Sequence, residues 1–280
     1  MSPEAVGSRS ELTDIRSTRI RSTKRLQKRS FREHDRAFLA EGLQAVREAL
    51  VAAAENGSGV RELFVTADAR ARHPELIERA VALGVPVQLA SGHVLAELSD
   101  TVTPQGLVAV CDVLDVSLET ALSASTLVVL LAAVRDPGNA GTVLRTADAA
   151  GASAVVFSDS SVDPYNGKCV RASAGSVFHL PVVVGAPVLA TIKAVRDAGH
   201  RVFAADGRPD AESLDDLERS GGLAHPTTWI FGNEAWGLPP DVVNAADTCV
   251  RVPIHGRAES LNLAAAAAVC LYASARALRT

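Results

Sequence analysis

Three short stretches in the second half of the chain gather Gly, Asn, Glu and Arg where a plain connection needs none of them. The first is Arg135-Asp136-Pro137-Gly138-Asn139-Ala140-Gly141, running on to Arg145. The second is Phe231-Gly232-Asn233-Glu234-Ala235-Trp236-Gly237-Leu238-Pro239. The third runs from Val252-Pro253-Ile254-His255-Gly256 through Glu259-Ser260-Leu261-Asn262 to Leu263. Glycines let a backbone turn tightly and come close to a ligand. Arg145 lies near the start of an expected helix, Gly141–Ala150, where the helix dipole favours anions over cations. Its position points to an anionic partner such as a phosphate or a Glu; the bland alternative is a surface arginine after a turn. Ser260 reads as the N-cap of the last helix. Asn262, a weak helix former one turn in, invites another role. His255 beside a glycine has the form of a base, though a lone loop His is more often solvated.

Other chemistries lack their residues. There is no GxSxG nucleophile turn and no GxxxxGK[ST] phosphate loop. A GxGxxG dinucleotide fingerprint is missing too. No His, Asp and Glu spacing suggests a metal site. The four cysteines, Cys111, Cys169, Cys249 and Cys270, are scattered with no CxxC pair. That excludes a zinc ribbon and a disulfide scaffold and suits a reducing cytoplasm. The N-terminal stretch has no apolar core, so no secretory signal is expected, and the longest apolar run is about half a membrane span.

The elements that must hold the three stretches follow from periodicity. Thr126–Val134 is almost continuously apolar, as in a strand buried on both faces of a parallel sheet. Further strands are expected at Ala154–Ser158, Val182–Val184, Arg201–Ala204, Thr228–Phe231 and Cys249–Val252. Helices are expected at Gly141–Ala150, Ala190–Ala198 and Leu261–Leu278, the first closed by Gly151. The three stretches thus leave the carboxyl ends of three strands, where ligands bind in open α/β sheets. Upstream, a strand and a helix with Leu43, Val46 and Leu50 inward begin a smaller α/β domain. It continues through Glu62–Thr66, a helix His73–Leu83 stopped by Gly84, and strands at Val85–Ala90 and Gly106–Asp112. The expected organisation is a basic arm or helix over 1–35, an α/β domain over 36–112, a linker over 113–125 and a second α/β domain over 126–280.

The 280 residues carry a formal net charge of −4, so the chain is not basic throughout. Yet Ile15–Arg32 holds eight of the 28 basic residues and no acidic one: Arg16, Arg19, Arg21, Lys24, Arg25, Lys28, Arg29 and Arg32. A concentrated basic segment on an acidic chain is an electrostatic footprint for phosphate backbones. A solvated helix face is the other reading.

Taken together, the three stretches resemble the signature motifs of the SpoU (TrmH-type) RNA 2′-O-ribose methyltransferases of the SPOUT superfamily. Asn139, Gly141 and Arg145 match the first motif, Phe231–Gly237 the second, and Pro253 with Ser260-Leu261-Asn262 the third. Asp163–Gly175 is also family-like, and Ala235 departs from a frequent Gly. The run from Ile20 to Leu50 is similar to the L30e-like RNA-binding domain of rRNA-directed members, and the whole looks closest to thiostrepton-resistance rRNA methyltransferases. The resemblance implies a trefoil-knotted SPOUT domain with a Rossmann-like parallel sheet, a homodimer with part of Leu261–Leu278 in its interface, and S-adenosylmethionine as cofactor. It implies an RNA substrate, 23S rRNA first and tRNA as the alternative, and no metal or membrane. Backbone groups around Gly232, Val252, Ile254 and Leu261 match the family's cofactor contacts, and Arg145 its essential arginine. Asn139, Glu234, Ser260 and Asn262 would orient Arg145, the ribose and the cofactor. Arg145 would either accept the hydroxyl proton or, remaining charged, clamp a phosphate. A non-catalytic RNA-binding module and another α/β enzyme such as a hydrolase are the competing classes.

Overall fold

The structure is a computed structural model that describes residues 11–279; the first ten residues of the expected basic arm and Thr280 lie outside them. It divides into two compact units, one of residues 1–114 with Tyr165–Phe178, the other of Asp115–Pro164 with His179–Thr280.

The first unit opens with α1 (Thr18–Lys24) and α2 (Arg29–Asp35), then β1 (Ala37–Glu41) and α3 (Leu43–Asn56). It continues through β2 (Val60–Val65), α4 (Ala67–Arg72), α5 (Pro74–Ala82), β3 (Val87–Leu89), α6 (Gly92–Leu98) and β4 (Leu107–Asp112). The sheet order is β1-β4-β2-β3, with β4 antiparallel to both neighbours and β2 parallel to β3. The expected helix His73–Leu83 is α5, Pro74–Ala82, and a short helix not expected from the sequence, α4, precedes it. Thr66 caps α4 by accepting from Ala69 N, and Pro74 restarts the chain as α5, since proline suits a first turn but lacks an interior N–H.

The second unit contains α7 (Leu118–Leu122), β5 (Leu127–Leu131), α8 (Pro137–Ala150) and β6 (Ala154–Ser158). Between β6 and the next strand comes α9 (Gly167–Ser173), which belongs to the first unit. Then follow β7 (Val182–Ala186), α10 (Val188–Asp197), β8 (Arg201–Ala205), β9 (Glu212–Ser213), α11 (Leu214–Arg219), β10 (Thr227–Phe231), α12 (Pro240–Ala245), β11 (Thr248–Arg251) and α13 (Leu263–Ala277). The sheet is parallel throughout, in the order β7-β6-β5-β10-β8-β11-β9. Strands β5, β6 and β10 are buried at every residue, which is why they read as unbroken apolar runs. Gly151 closes α8 with a positive φ of 77°, as expected.

Two helix starts differ from expectation. Asp136 accepts a hydrogen bond from Asn139 N at 2.7 Å, so α8 begins at Pro137 and Arg145 sits two turns in, beyond the reach of the N-terminal dipole. Asn262, not Ser260, caps the last helix, accepting from Ala264 N at 2.9 Å.

Segment Tyr165–Phe178 is tied into the first unit by apolar and polar contacts. Phe38 of β1 packs on Tyr165 and Phe178, with ring centroids 4.7 and 5.8 Å away. Glu41, buried at the end of β1, accepts from Arg171 Nη1 at 2.9 Å, Asp100 N at 3.1 Å and the Thr101 hydroxyl. A buried carboxylate without such donors would be costly.

In the second unit, Trp229 of β10 is fully buried between Phe203 and Phe231. Its indole N–H donates to Ser274 Oγ at 2.8 Å, fixing α13 against the sheet. Burial pushes the thiol of Cys270 up to about 12 and that of Cys111 higher still, so neither is a nucleophile at neutral pH. No helix among the described residues is long and apolar enough to cross a membrane.

His200 is buried at the start of β8, with Nε2 2.8 Å from Ser125 Oγ and Nδ1 3.1 Å from Thr228 Oγ1. Burial holds its pKa below the ordinary 6.5, so the folded chain keeps it neutral where the unfolded chain would protonate it. The unfolded state therefore gains protons first as pH falls, and stability declines below about pH 6.5. The thermal midpoint is expected to drop between pH 7.5 and 5.5, and His200→Gln to flatten that drop; parallel curves for the two proteins would refute it.

Candidate active site

All three motif stretches reach one cavity of about 750 Å3 in the second unit. The sheet order explains their convergence. Stretch one leaves β5, stretch two its neighbour β10, and stretch three β11, two places further along the same edge.

Glu234 organises the first stretch. Its carboxylate accepts from Arg135 N at 3.3 Å, Asp136 N at 3.3 Å and Asn139 Nδ2 at 3.2 Å. Asn139 in turn accepts from Asn262 Nδ2 at 3.1 Å. A carboxylate and two amides, one from each stretch, thus form a hydrogen-bonded chain at the cavity. The second stretch is closed by paired backbone bonds between Asn233 and Gly237, both at 2.9 Å. Gly232 must be glycine here: a Cβ would lie 2.5 Å from the Gly237 carbonyl carbon and oxygen. Asn233 Nδ2 reaches back to Ala133 O at 2.8 Å, and Ala133 N donates to Ser158 Oγ at 3.0 Å. These bonds hold Ala133 at φ +56°, in the left-handed region an alanine rarely occupies, just where β5 gives way to the first stretch.

Of the sequence-predicted residues, Asn139, Gly232, Glu234, Val252, Ile254, Ser260, Leu261 and Asn262 line the cavity. Arg145 does not; it projects from the exposed face of α8 with no hydrogen-bond or ion-pair partner among the described residues.

The basic segment is more engaged than its composition suggests. Arg19 pairs with Glu62, Lys24 with Glu97, Arg25 with Asp35 and Arg29 with Glu33. Arg32 is a correction: it is 3% exposed and donates to the carbonyls of Leu26 and Gln27 at 2.9 and 2.8 Å, so it braces the turn before α2 and faces no phosphate. Arg16, Arg21 and Lys28 are exposed and have no carboxylate partner among the described residues.

Comparison with known proteins places this geometry. Residues 126–272 match the model of the SpoU rRNA Methylase family, and residues 17–109 match the MRM3-like substrate binding domain. The chain belongs to the SpoU rRNA methylase family. It is 33% identical to the 23S rRNA (guanosine(2553)-2′-O)-methyltransferase RlmP of Bacillus subtilis, over 94% of this chain and 98% of that one. It is 36% identical to a 23S rRNA (adenosine(1067)-2′-O)-methyltransferase of Streptomyces laurentii, over 53% of this chain and 54% of the relative. An AdoMet-bound rRNA methyltransferase from Sinorhizobium meliloti superposes with a TM-score of 0.80 at 32% identity, covering 95% and 97% of the two chains. The SpoU methyltransferase AviRb from Streptomyces viridochromogenes gives 0.78 at 28%, covering 94% and 98%.

In this SpoU methylase a fourth loop, Asp206-Gly207-Arg208-Pro209, also borders the cavity through Asp206, Gly207 and Pro209. Sequence reasoning passed over it. The available signal was an Asp-Gly pair directly after a buried strand, the same strand-end rule that marked the other three. Arg135 and Trp236 were likewise missed as a pair: the guanidinium lies 5.7 Å from the indole centroid, joining stretches one and two from outside.

Asn262 has two separable jobs, capping α13 and holding Asn139. Asn262→Ala is expected to cost about 1 kcal/mol of stability through the lost cap. Asn262→Ser should restore most of that, because a serine caps well, yet it is too short to reach Asn139. Denaturant titration reads the first effect. Equal destabilisation in both variants would show that capping is not what Asn262 contributes to the fold.

Proposed function

We propose that the chain methylates a ribose 2′-oxygen of 23S rRNA, using S-adenosylmethionine as donor. The observation that carries this reading is the Glu234–Asn139–Asn262 chain set at a cavity, with an unpaired Arg145 on the adjoining helix α8. The named relatives that match along most of this chain and act on rRNA point the same way.

The cavity fits such a cofactor. Its volume lies within the range of small-molecule sites. Gly232 leaves room that any side chain would fill with a backbone clash. Gly232, Val252, Ile254 and Leu261 would hold the adenosyl and methionyl parts. When bound, S-adenosylmethionine supplies an electrophilic methyl on a sulfonium and leaves as the uncharged thioether.

The residues then position the acceptor. Glu234 fixes the loop through Arg135, Asp136 and Asn139, so the site needs no rearrangement when the ribose arrives. Asn139, Ser260 and Asn262 present polar groups to it. Arg145, free and outside the cavity, meets the target nucleotide from the RNA side. As a guanidinium it stays protonated and offers a fork to a phosphate. As the O–CH3 bond forms and the S–CH3 bond breaks, the 2′-proton would pass to solvent water.

The first unit would carry the RNA. Arg16, Arg21 and Lys28 are the side chains of the basic segment with no carboxylate partner among the described residues and so meet the phosphates, Arg21 with its Nε already donated to Arg16 O at 2.9 Å, while the paired arginines hold the helices. A homodimer is part of the same reading: Ala265, Val269 and Tyr272 form an exposed stripe at helical spacing on α13. A monomeric mass in sedimentation would refute that part. A cytoplasmic location follows from a ribosomal substrate.

Two measurements test the reading. Arg145→Ala is expected to abolish single-turnover methylation of 23S rRNA while leaving cofactor affinity within a few-fold, because Arg145 stands outside the cavity. Arg145→Lys should lose about two orders of magnitude, the lysine keeping charge without the fork. Near-normal rates in the alanine variant would remove Arg145 from the reaction. For RNA binding, replacing Arg16, Arg21 and Lys28 together by alanine should flatten the salt dependence by about two units, at roughly 0.7–0.9 per phosphate contact. An unchanged slope would assign these residues to solubility alone.

A further inference from the structure

The fourth loop has a position that the three motifs do not explain. In the sheet, β8 lies between β10 and β11, so the loop leaving β8 is interposed between the second and third stretches. A ligand held by both Gly232 and Val252 must pass over residue 206. Asp206 is pinned there: its N–H donates to Val250 O at 3.0 Å. Its carboxylate is 19% exposed and faces the second stretch, with Oδ2 3.7 Å from the point where a Cβ on Gly237 would sit.

The carboxylate is only partly used. Oδ1 accepts from Arg208 N at 3.1 Å and Oδ2 from Arg208 Nη2 at 3.3 Å. A carboxylate has about four acceptor sites, so about two remain, one on each oxygen. Two acceptors side by side on a fixed carboxylate match two vicinal hydroxyl donors, the chemistry by which acidic residues read a ribose in other α/β sheets. Arg208 also balances the charge, which favours a neutral diol over a cation as the group received.

We infer that Asp206 accepts the ribose 2′- and 3′-hydroxyls of the adenosyl cofactor, and so selects ligands by their sugar. This rests on the cofactor reading above and assigns a role to a residue outside the three motifs.

The test is calorimetric titration of the full chain with S-adenosylhomocysteine and with its 2′-deoxy and 3′-deoxy analogues. This ligand carries no sulfonium, so attraction of that charge is absent. The wild-type chain is expected to bind each deoxy analogue about 10- to 100-fold more weakly than the parent, the range for losing a hydrogen bond to a charged group. Asp206→Ala should bind the parent about that much more weakly and no longer distinguish the analogues. Asp206→Asn, which keeps the shape and one acceptor, should fall between, and thermal midpoints check that each variant is folded. The deoxy titrations on the wild type decide the matter even if a variant fails to fold. Equal binding of parent and analogues by the wild type would overturn the assignment while leaving the cofactor reading intact. So would discrimination that survives in Asp206→Ala. If Asp206→Ala weakens only sinefungin, which carries an ammonium, the residue acts by charge and the assignment falls. No binding of S-adenosylhomocysteine or S-adenosylmethionine at all would overturn both readings.

Discussion

Glu234 gathers the backbone of a loop that belongs to another strand. The first stretch leaves β5 with two N–H groups, of Arg135 and Asp136, that no strand partner can satisfy. A carboxylate from the β10 loop accepts both and takes the Asn139 amide as well. Ordering that loop costs conformational entropy at every residue, and charge-assisted hydrogen bonds are among the few contacts strong enough to offset it at an exposed site. The same junction holds a left-handed alanine, Ala133, which costs about 1–3 kcal/mol and persists because Asn233 and Ser158 bind its two backbone groups. Neighbouring Ser161 accepts from Val134 N and donates to Leu131 O, extending the brace to the end of β5. A change at Glu234 or Asn233 therefore acts on Asn139 before it acts on any ligand.

The remaining partner of Asn139 comes from the far end of the chain. Asn262 is in reach because α13 packs along α8 and β10, and the Trp229–Ser274 hydrogen bond sets where along β10 it lies. That bond joins a fully buried indole to a fully buried serine. Moving α13 by one turn would strand both polar groups in the core, so its register is strongly specified. Precision at the site is thus inherited from the apolar core beneath it.

Much of this was legible in the sequence, and what was not has physical reasons. Strands buried on both faces announce themselves as apolar runs, and Gly84 and Gly151 mark helix ends because a left-handed residue is needed there. The three stretches stood out because Gly, Asn and Glu are poor choices for connection alone. The Asp206 loop did not, since a single Asp-Gly looks like any turn until the sheet order places it between two other loops. Strand order is a long-range property that no local pattern carries. The start of α8 was misplaced because Asp136 and Pro137, a cap and a first-turn proline, read equally well as loop. Ser260 and Asn262 are both good caps, and only the Asn139 contact distinguishes them. Arg32 shows the limit of charge counting: a guanidinium can be consumed by two carbonyls of the turn before its own helix. Tyr165–Phe178 looks like a loop between β6 and β7, yet Phe38 and Glu41 claim it for the first unit.

The distribution of charge around the site has its own logic. Asp206, its charge balanced by Arg208, lines the cavity with Glu234 and Glu259, against Arg251, whose Nε donates to Ala211 O. Arg145 stands outside, unpaired among the described residues, on the exposed face of α8. A methyl donor that is a cation and an acceptor that is a polyanion have opposite electrostatic needs. Placing both in one field would weaken one of them, because a low-dielectric cleft magnifies whichever sign it carries. In the proposed reading, Glu234 and Glu259 within the cavity and the guanidinium beyond it would let each ligand meet the opposite sign. In the same reading the hydrogen-bonded amides of Asn139 and Asn262, neutral groups, would occupy the boundary where the two meet, and there a fixed dipole would orient a hydroxyl without favouring either charge.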